Sequence, residues 1–126
     1  MTFMEGSSSR IRVRIVVRGM GEGEGELLRF RAPRTVEAIL RRLPVEGRAA
    51  LVKGGFYVEV PIKMGREKAV KNVSSGTISF WPLGSALCFF CEDTMTYSPV
   101  NIIGQFTVRE VLRDVKRGTI ISVEKA

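Results

Sequence analysis

The 126 residues, 44% apolar and 26% charged, suit one globular domain that folds without staples. With no histidine there is no Ser-His or Cys-His nucleophile pair and no His-ligated metal, and two cysteines without a secretory signal point to the cytoplasm. The net charge of +7 lies entirely in the first part of the chain, where residues 1–72 hold 15 Lys+Arg against 8 Asp+Glu and the rest hold 5 against 5.

Residues 1–9 read as a mobile tail and residues 10–126 as a single domain. No apolar run approaches the ~20 residues that span a bilayer. In "RIRVRIVVR", Ile11, Val13, Ile15 and Val17 alternate with arginines, the pattern of a half-buried strand. "GMGEGEGE" then reads as a Gly-rich connection to a second strand in "LLRFRA". "RTVEAILRRLP" is a short helix with Val36, Ile39, Leu40 and Leu43 on one face, Thr35 as N-cap and Pro44 as stop. "ALV" and "FYVEVPIK" are strands, residues 64–76 a connection, and "TISFW" and "ALCFFC" strands joined by a turn at Pro82–Ser85. "DTMTYSP" reads as loop and "VNIIGQF" as strand. "TVREVLRDVKRG" is a helix with a Thr107–Glu110 capping box and a Gly118 stop, and "TIISVEKA" is the last strand. About eight strands and two short helices, without β-α alternation, predict a mainly β fold, an antiparallel barrel or sandwich.

The Cys88-x-x-Cys91 spacing suggests a redox or metal site, but in a strand residues three apart face opposite ways. No helix follows to activate a thiolate, and no further Cys or His completes a metal site, so two buried structural thiols are expected, with no metal and no cofactor. The three glutamates of "GEGEGE" would repel phosphate, which leaves a solvated hairpin tip. Phe80, Trp81, Phe89, Phe90 and Tyr97 form an aromatic group that can be core or ligand groove.

The run "GTISFWPLGSALCFFCED…TYSPVNIIGQ" resembles the pattern of a family of small archaeal and bacterial proteins with a cyclophilin-like barrel, closely from Gly76 to Gly104 and loosely elsewhere. It is also similar to a shortened cyclophilin, with Gly76–Phe80, Phe89–Cys91 and Val100–Gln105 on three characteristic strands. The resemblance implies a closed eight-stranded antiparallel barrel with a helix capping each open end. Cyclophilins isomerise X-Pro bonds in an apolar groove with an arginine. Here Phe90 matches the groove Phe, Cys88 replaces the groove Gln, Val100 replaces the groove His, and Val58 or Glu59 stands where the arginine belongs. Without that donor the ~18–20 kcal/mol isomerisation barrier lacks its main stabilisation, so no catalytic residue is assigned.

The leading expectation is therefore a non-catalytic binding module, with Phe56, Met64, Trp81, Phe90 and Tyr97 lining a groove for a peptide or small apolar ligand. One alternative is a degenerate prolyl isomerase. Another is nucleic-acid binding through Arg10, Arg12 and Arg14, although the basic residues lack interleaved aromatics for base stacking. No membrane partner is expected, and the oligomeric state is not legible.

Overall fold

A computed structural model describes residues 9–126, so the expected N-terminal tail lies outside the described residues except for Ser9. Ten strands appear in chain order with two helices: β1 (Arg10–Val17), β2 (Gly21–Leu28), α1 (Pro33–Arg42), β3 (Val45–Arg48), β4 (Ala50–Val52), β5 (Gly55–Glu59), β6 (Val70–Val73), β7 (Thr77–Trp81), β8 (Ala86–Phe90), β9 (Thr94–Phe106), α2 (Glu110–Arg113) and β10 (Ile120–Lys125). They form one sheet in the order β3-β10-β1-β2-β9-β7-β8-β5-β4, with β6 attached to β9. All the pairings are antiparallel.

The mainly β fold is as expected, but the closed eight-stranded barrel needs correction. The sheet curls until β3 packs against β5, yet no ladder of hydrogen bonds joins them. The segment 45–52 changes partner at Ala49, bonding to β10 before it and to β5 after it. The result is a seam rather than a closed wall. The count rises because β3 and β6 form where short connections were expected, while β9 is lengthened by Thr94–Pro99 of the expected loop.

"GEGEGE" is strand, not connection. Its Gly/Glu alternation has period two, which places the glutamates outside and the glycines inside. The inner Gly23 leaves room for Leu112 of α2, whose side chain a Cβ there would meet. Outside, the glutamates face β1 in register, with Arg12 opposite Glu26 and Arg14 opposite Glu24.

The interior is filled from every strand face that points inward: Val13, Ile15 and Val17 from β1, Phe56 and Val58 from β5, Ile78 and Phe80 from β7, Leu87 and Phe89 from β8. Val36, Ile39 and Leu40 of α1 cover one end of this core, as their spacing predicted. At the other end α2 is far shorter than expected. The Thr107 N–H bonds the Glu24 carbonyl in continuation of the sheet, so Thr107 is not a cap. Its apolar positions still pack as predicted, with Leu112 and Val115 buried and Val108 and Val111 against the core.

The N-terminus of α1 is capped from a distance. Pro33 opens the helix, and Thr35 lies inside it rather than at the cap. The Glu67 carboxylate accepts the Arg34 N–H at 3.0 Å, the Thr35 N–H at 2.8 Å and the Thr35 hydroxyl at 2.7 Å. These are orphan donors of the first turn, and a carboxylate there also opposes the helix dipole favourably. Burial pushes the Glu67 carboxyl upward, but the bonds from Thr35 and from the Arg34 and Thr35 N–H groups, with the Arg34 charge, outweigh it and hold the group below its ordinary 4.5. A carboxyl depressed on folding stabilises fully above its unfolded value and loses that contribution as pH falls through its folded value. Glu67→Gln is thus expected to lower stability at pH 7 and to flatten the acid limb of a stability profile taken by urea unfolding from pH 7 to pH 3. An unchanged acid limb would remove Glu67 from this role.

Candidate functional site

Strand alternation sorts the "ISFWPLGSALCFFCED" region into two layers. Ile78, Phe80, Leu87 and Phe89 point inward, and Phe89 stacks on Phe56 with ring centroids 5.1 Å apart. Cys88 and Phe90 point outward. They are covered by Val73 of β6 and Val100 of β9, and flanked by Tyr57 and Trp81. This small outer core exists because the first part of β9 and its partner β6 fold back over the barrel wall.

The expected groove residues consequently separate. Phe56 is inside the main core, and Met64 packs half-buried against that same core. Phe90 is 1% exposed under the β6–β9 ribbon. Tyr97 stands on the ribbon, 91% exposed. Only Trp81 and Phe90 share one cluster, and only Trp81 of that pair reaches the surface. Val100, which the resemblance sets at the position of the cyclophilin histidine, is buried as a cover for Phe90. Glu59 is exposed on β5, Val58 points into the core, and Arg66 is exposed in the connection before β6.

The cysteines face opposite layers, Cys88 in the outer cluster and Cys91 in the main core, and both are free thiols. Burial raises the Cys88 thiol to about 12, with the Ser79 hydroxyl across the ladder pulling weakly the other way. Burial also raises Cys91, against the pull of the nearby Arg113 charge. Thiolate is the reacting form, so iodoacetamide at pH 8 is expected to leave both cysteines unlabelled in the native protein and to label both in urea. Rapid native labelling of Cys88 would contradict its placement.

Trp81 is held as a fixed plate. Its indole N–H donates to the Ser98 hydroxyl at 2.6 Å. Gly84 lies flat against the ring, where any Cβ would overlap the indole. The Trp-Pro-Leu-Gly turn and the Ser-Pro-Val-Asn segment thereby form one unit. Beside Trp81 lies Tyr57 of β5, its ring edge-on at a centroid distance of 5.5 Å. Both rings are half-buried on the outer face. Next to them the seam opens a cavity of about 320 Å³ lined by Gly47, Arg48, Ala50, Tyr57 and Glu59. Tyr57 was missed in the sequence. The signal was present: alternation with the inward Phe56 and Val58 turns Tyr57 to the outer face, where Trp81 also lies.

The β1 arginines lie on a different surface and are largely neutralised there. Arg10 pairs with Glu26 at 2.9 Å, and Arg14 pairs with Glu22 at 3.3 Å and with Glu124 at 2.6 Å. A cavity of about 510 Å³ over this face mixes Arg12 and Arg14 with Glu22, Glu24 and Glu26.

The cyclophilin-like family profile matches residues 11–124, nearly the whole described chain. The chain belongs to the cyclophilin-like family. Among solved structures, this member is similar to the hypothetical protein AF2241 from Archaeoglobus fulgidus, determined in solution. The two share 30% identity over 94% of this chain and 96% of that one, with a TM-score of 0.76. The cyclophilin-like fold also recurs in McbB, solved in complex with tryptophan, at 17% identity and a TM-score of 0.71. That match covers 89% of this chain but 44% of McbB. No curated protein matches the chain. Among the described residues no helix is long and apolar enough to cross a membrane.

Proposed function

We propose that this cyclophilin-like protein is a non-catalytic binding module. Its ligand, a peptide or a small apolar molecule, rests on the outer face at Tyr57 and Trp81. The observation that carries the reading is the pair of half-buried aromatic rings beside the seam cavity. Partly exposed aromatics with a few polar groups nearby are what ligand sites use. The Trp81 N–H is already bonded to Ser98, so the indole offers an apolar surface without an unmet donor. Arg48 and Glu59 at the rim supply opposite charges that can orient a peptide. Catalysis is not part of the reading, because the outer position of Phe90 is occupied by Val73 and Val100 and the groove His and Arg positions are aliphatic or acidic.

Trp81 is the only tryptophan in the chain, so its fluorescence reports on this face alone. Titration with members of a proline- and aromatic-containing peptide library is expected to give a saturable change for at least one class. Tyr57→Ala should weaken that binding about tenfold or more, a typical hot-spot loss of ~1.4 kcal/mol or above. A folded parent with no saturable response across the library, or an indifferent Tyr57→Ala, would overturn the proposal. In a protease-coupled prolyl assay the rate should stay at background, and a rate clearly above it would restore the isomerase reading.

A further inference from the structure

The charge of the chain is more localised than its sequence halves suggest. Residues 29–44 and 61–72 together hold nine Lys+Arg and two Asp+Glu, and the remaining residues hold eleven of each. The whole excess of +7 therefore belongs to two segments. The fold ties those segments together. Glu67 caps α1, the Lys68 Nζ donates to the Phe30 carbonyl at 3.3 Å, and Asn101 joins Thr35 to Gly65. On the β1–β2 side Arg10, Arg14 and Arg18 are paired with carboxylates. Here, among the described residues, Arg29 alone has an ion-pair partner, Glu37.

This basic face carries exposed aromatic rings. Phe30 is 53% exposed between Arg29 and Arg31, which corrects the expectation that the basic residues lack interleaved aromatics. The Arg10 guanidinium lies 6.0 Å from its ring centroid. From Lys68 the chain continues into β6, whose Lys71 carbonyl accepts the hydroxyl of Thr96, the neighbour of the exposed Tyr97. An exposed ring thus stands at each end of a path through Lys68 and Lys71.

We infer that this face binds single-stranded nucleic acid, with Arg31, Arg34, Arg66, Lys68 and Lys71 meeting phosphates and Phe30 and Tyr97 stacking on bases. A charged surface with separated exposed aromatic rings suits unpaired bases, which expose their ring faces. A membrane surface fits less well. The apolar side of α1 is used by the core, so this helix has no free apolar face to insert.

The test is fluorescence anisotropy of the full chain with labelled oligo-uridine and with a duplex of equal length, across a salt series. Expected is tighter binding of the single strand, weakening steeply with salt. Arg31→Glu/Arg66→Glu/Lys71→Glu should weaken it at least tenfold and reduce the log–log salt slope by about 2, at ~0.7 per single-strand phosphate contact. Phe30→Ala should weaken it several-fold with the slope unchanged. The charge-matched Arg109→Glu/Arg113→Glu/Lys116→Glu control should stay within about twofold of the parent, on the same stacking-and-contact logic. Absence of binding at low salt, equal loss in both triple variants, indifference to Phe30→Ala, preference for duplex, or tighter binding to vesicles of anionic lipid would each overturn the inference. Melting curves of the variants confirm that folded proteins are compared.

Discussion

Gly104→Ala is expected to destabilise the protein by about 3 kcal/mol or more, the upper range for forced overpacking. A Cβ at residue 104 would overlap the Glu26 carbonyl oxygen and approach the Leu27 Cα to 3.0 Å. Both are backbone atoms, so no rotamer change relieves the clash. The β2 and β9 strands must separate where their ladder runs only from Gly25–Phe106 to Leu27–Gly104. That short ladder is the one link in the strand order between the β3-β10-β1-β2 half and the β9-β7-β8-β5-β4 half. A loss of this size lowers the melting temperature by roughly 10 °C for a domain of this length. An unchanged melting temperature would mean that the two strands tolerate separation and that the Gly ending the Ser-Pro-Val-Asn-x-x-Gly segment has another purpose.

Asn101→Ala is expected to cost about 3 kcal/mol, from three hydrogen bonds at ~1 kcal/mol each and the partners left buried. Asn101 is fully buried. Its carbonyl oxygen accepts the Glu67 N–H at 2.8 Å, and its amide donates to the Gly65 carbonyl at 3.0 Å and to the Thr35 hydroxyl at 3.2 Å. The residue therefore positions the loop that caps α1, and its loss acts on the helix through Glu67. Asn101→Asp sharpens the test. It removes both donors and buries a charge, so its folded-state carboxyl is raised and the variant should regain stability as pH falls, opposite to the Glu67 contribution. Urea unfolding at pH 7 and pH 5 distinguishes the two signs. Equal destabilisation by Asp at both values would contradict the buried network.

Much of this was readable from local pattern. Alternation in "RIRVRIVV" fixed the inward Val13, Ile15 and Val17, and the same rule separated Phe89 from Phe90 and Cys88 from Cys91. Most of what failed was non-local. Glycine taken as a strand breaker set the second strand at Leu27–Ala32, whereas β2 runs Gly21–Leu28 and its Glu/Arg register with β1 follows from the same period. The α1 cap comes from Glu67, 32 residues beyond Thr35, so Thr35 alone looked like the cap. The groove assignment of Phe90 failed to bring its companions together for a similar reason. Nothing near Phe90 in sequence announces that Val73 and Val100 will fold over it. Of the five residues expected in one groove, Trp81 and Phe90 share the outer cluster, and the half-buried ring beside Trp81 is Tyr57.

The proposed binding face can be tested most directly by NMR of the full chain, since one tryptophan gives one indole N–H resonance. On addition of a peptide that alters Trp81 fluorescence, the account predicts shifts concentrated on the Trp81 indole N–H and on the backbone amides of Arg48, Tyr57 and Glu59. Shifts confined to other surfaces, with the Trp81 indole N–H unmoved, would contradict it.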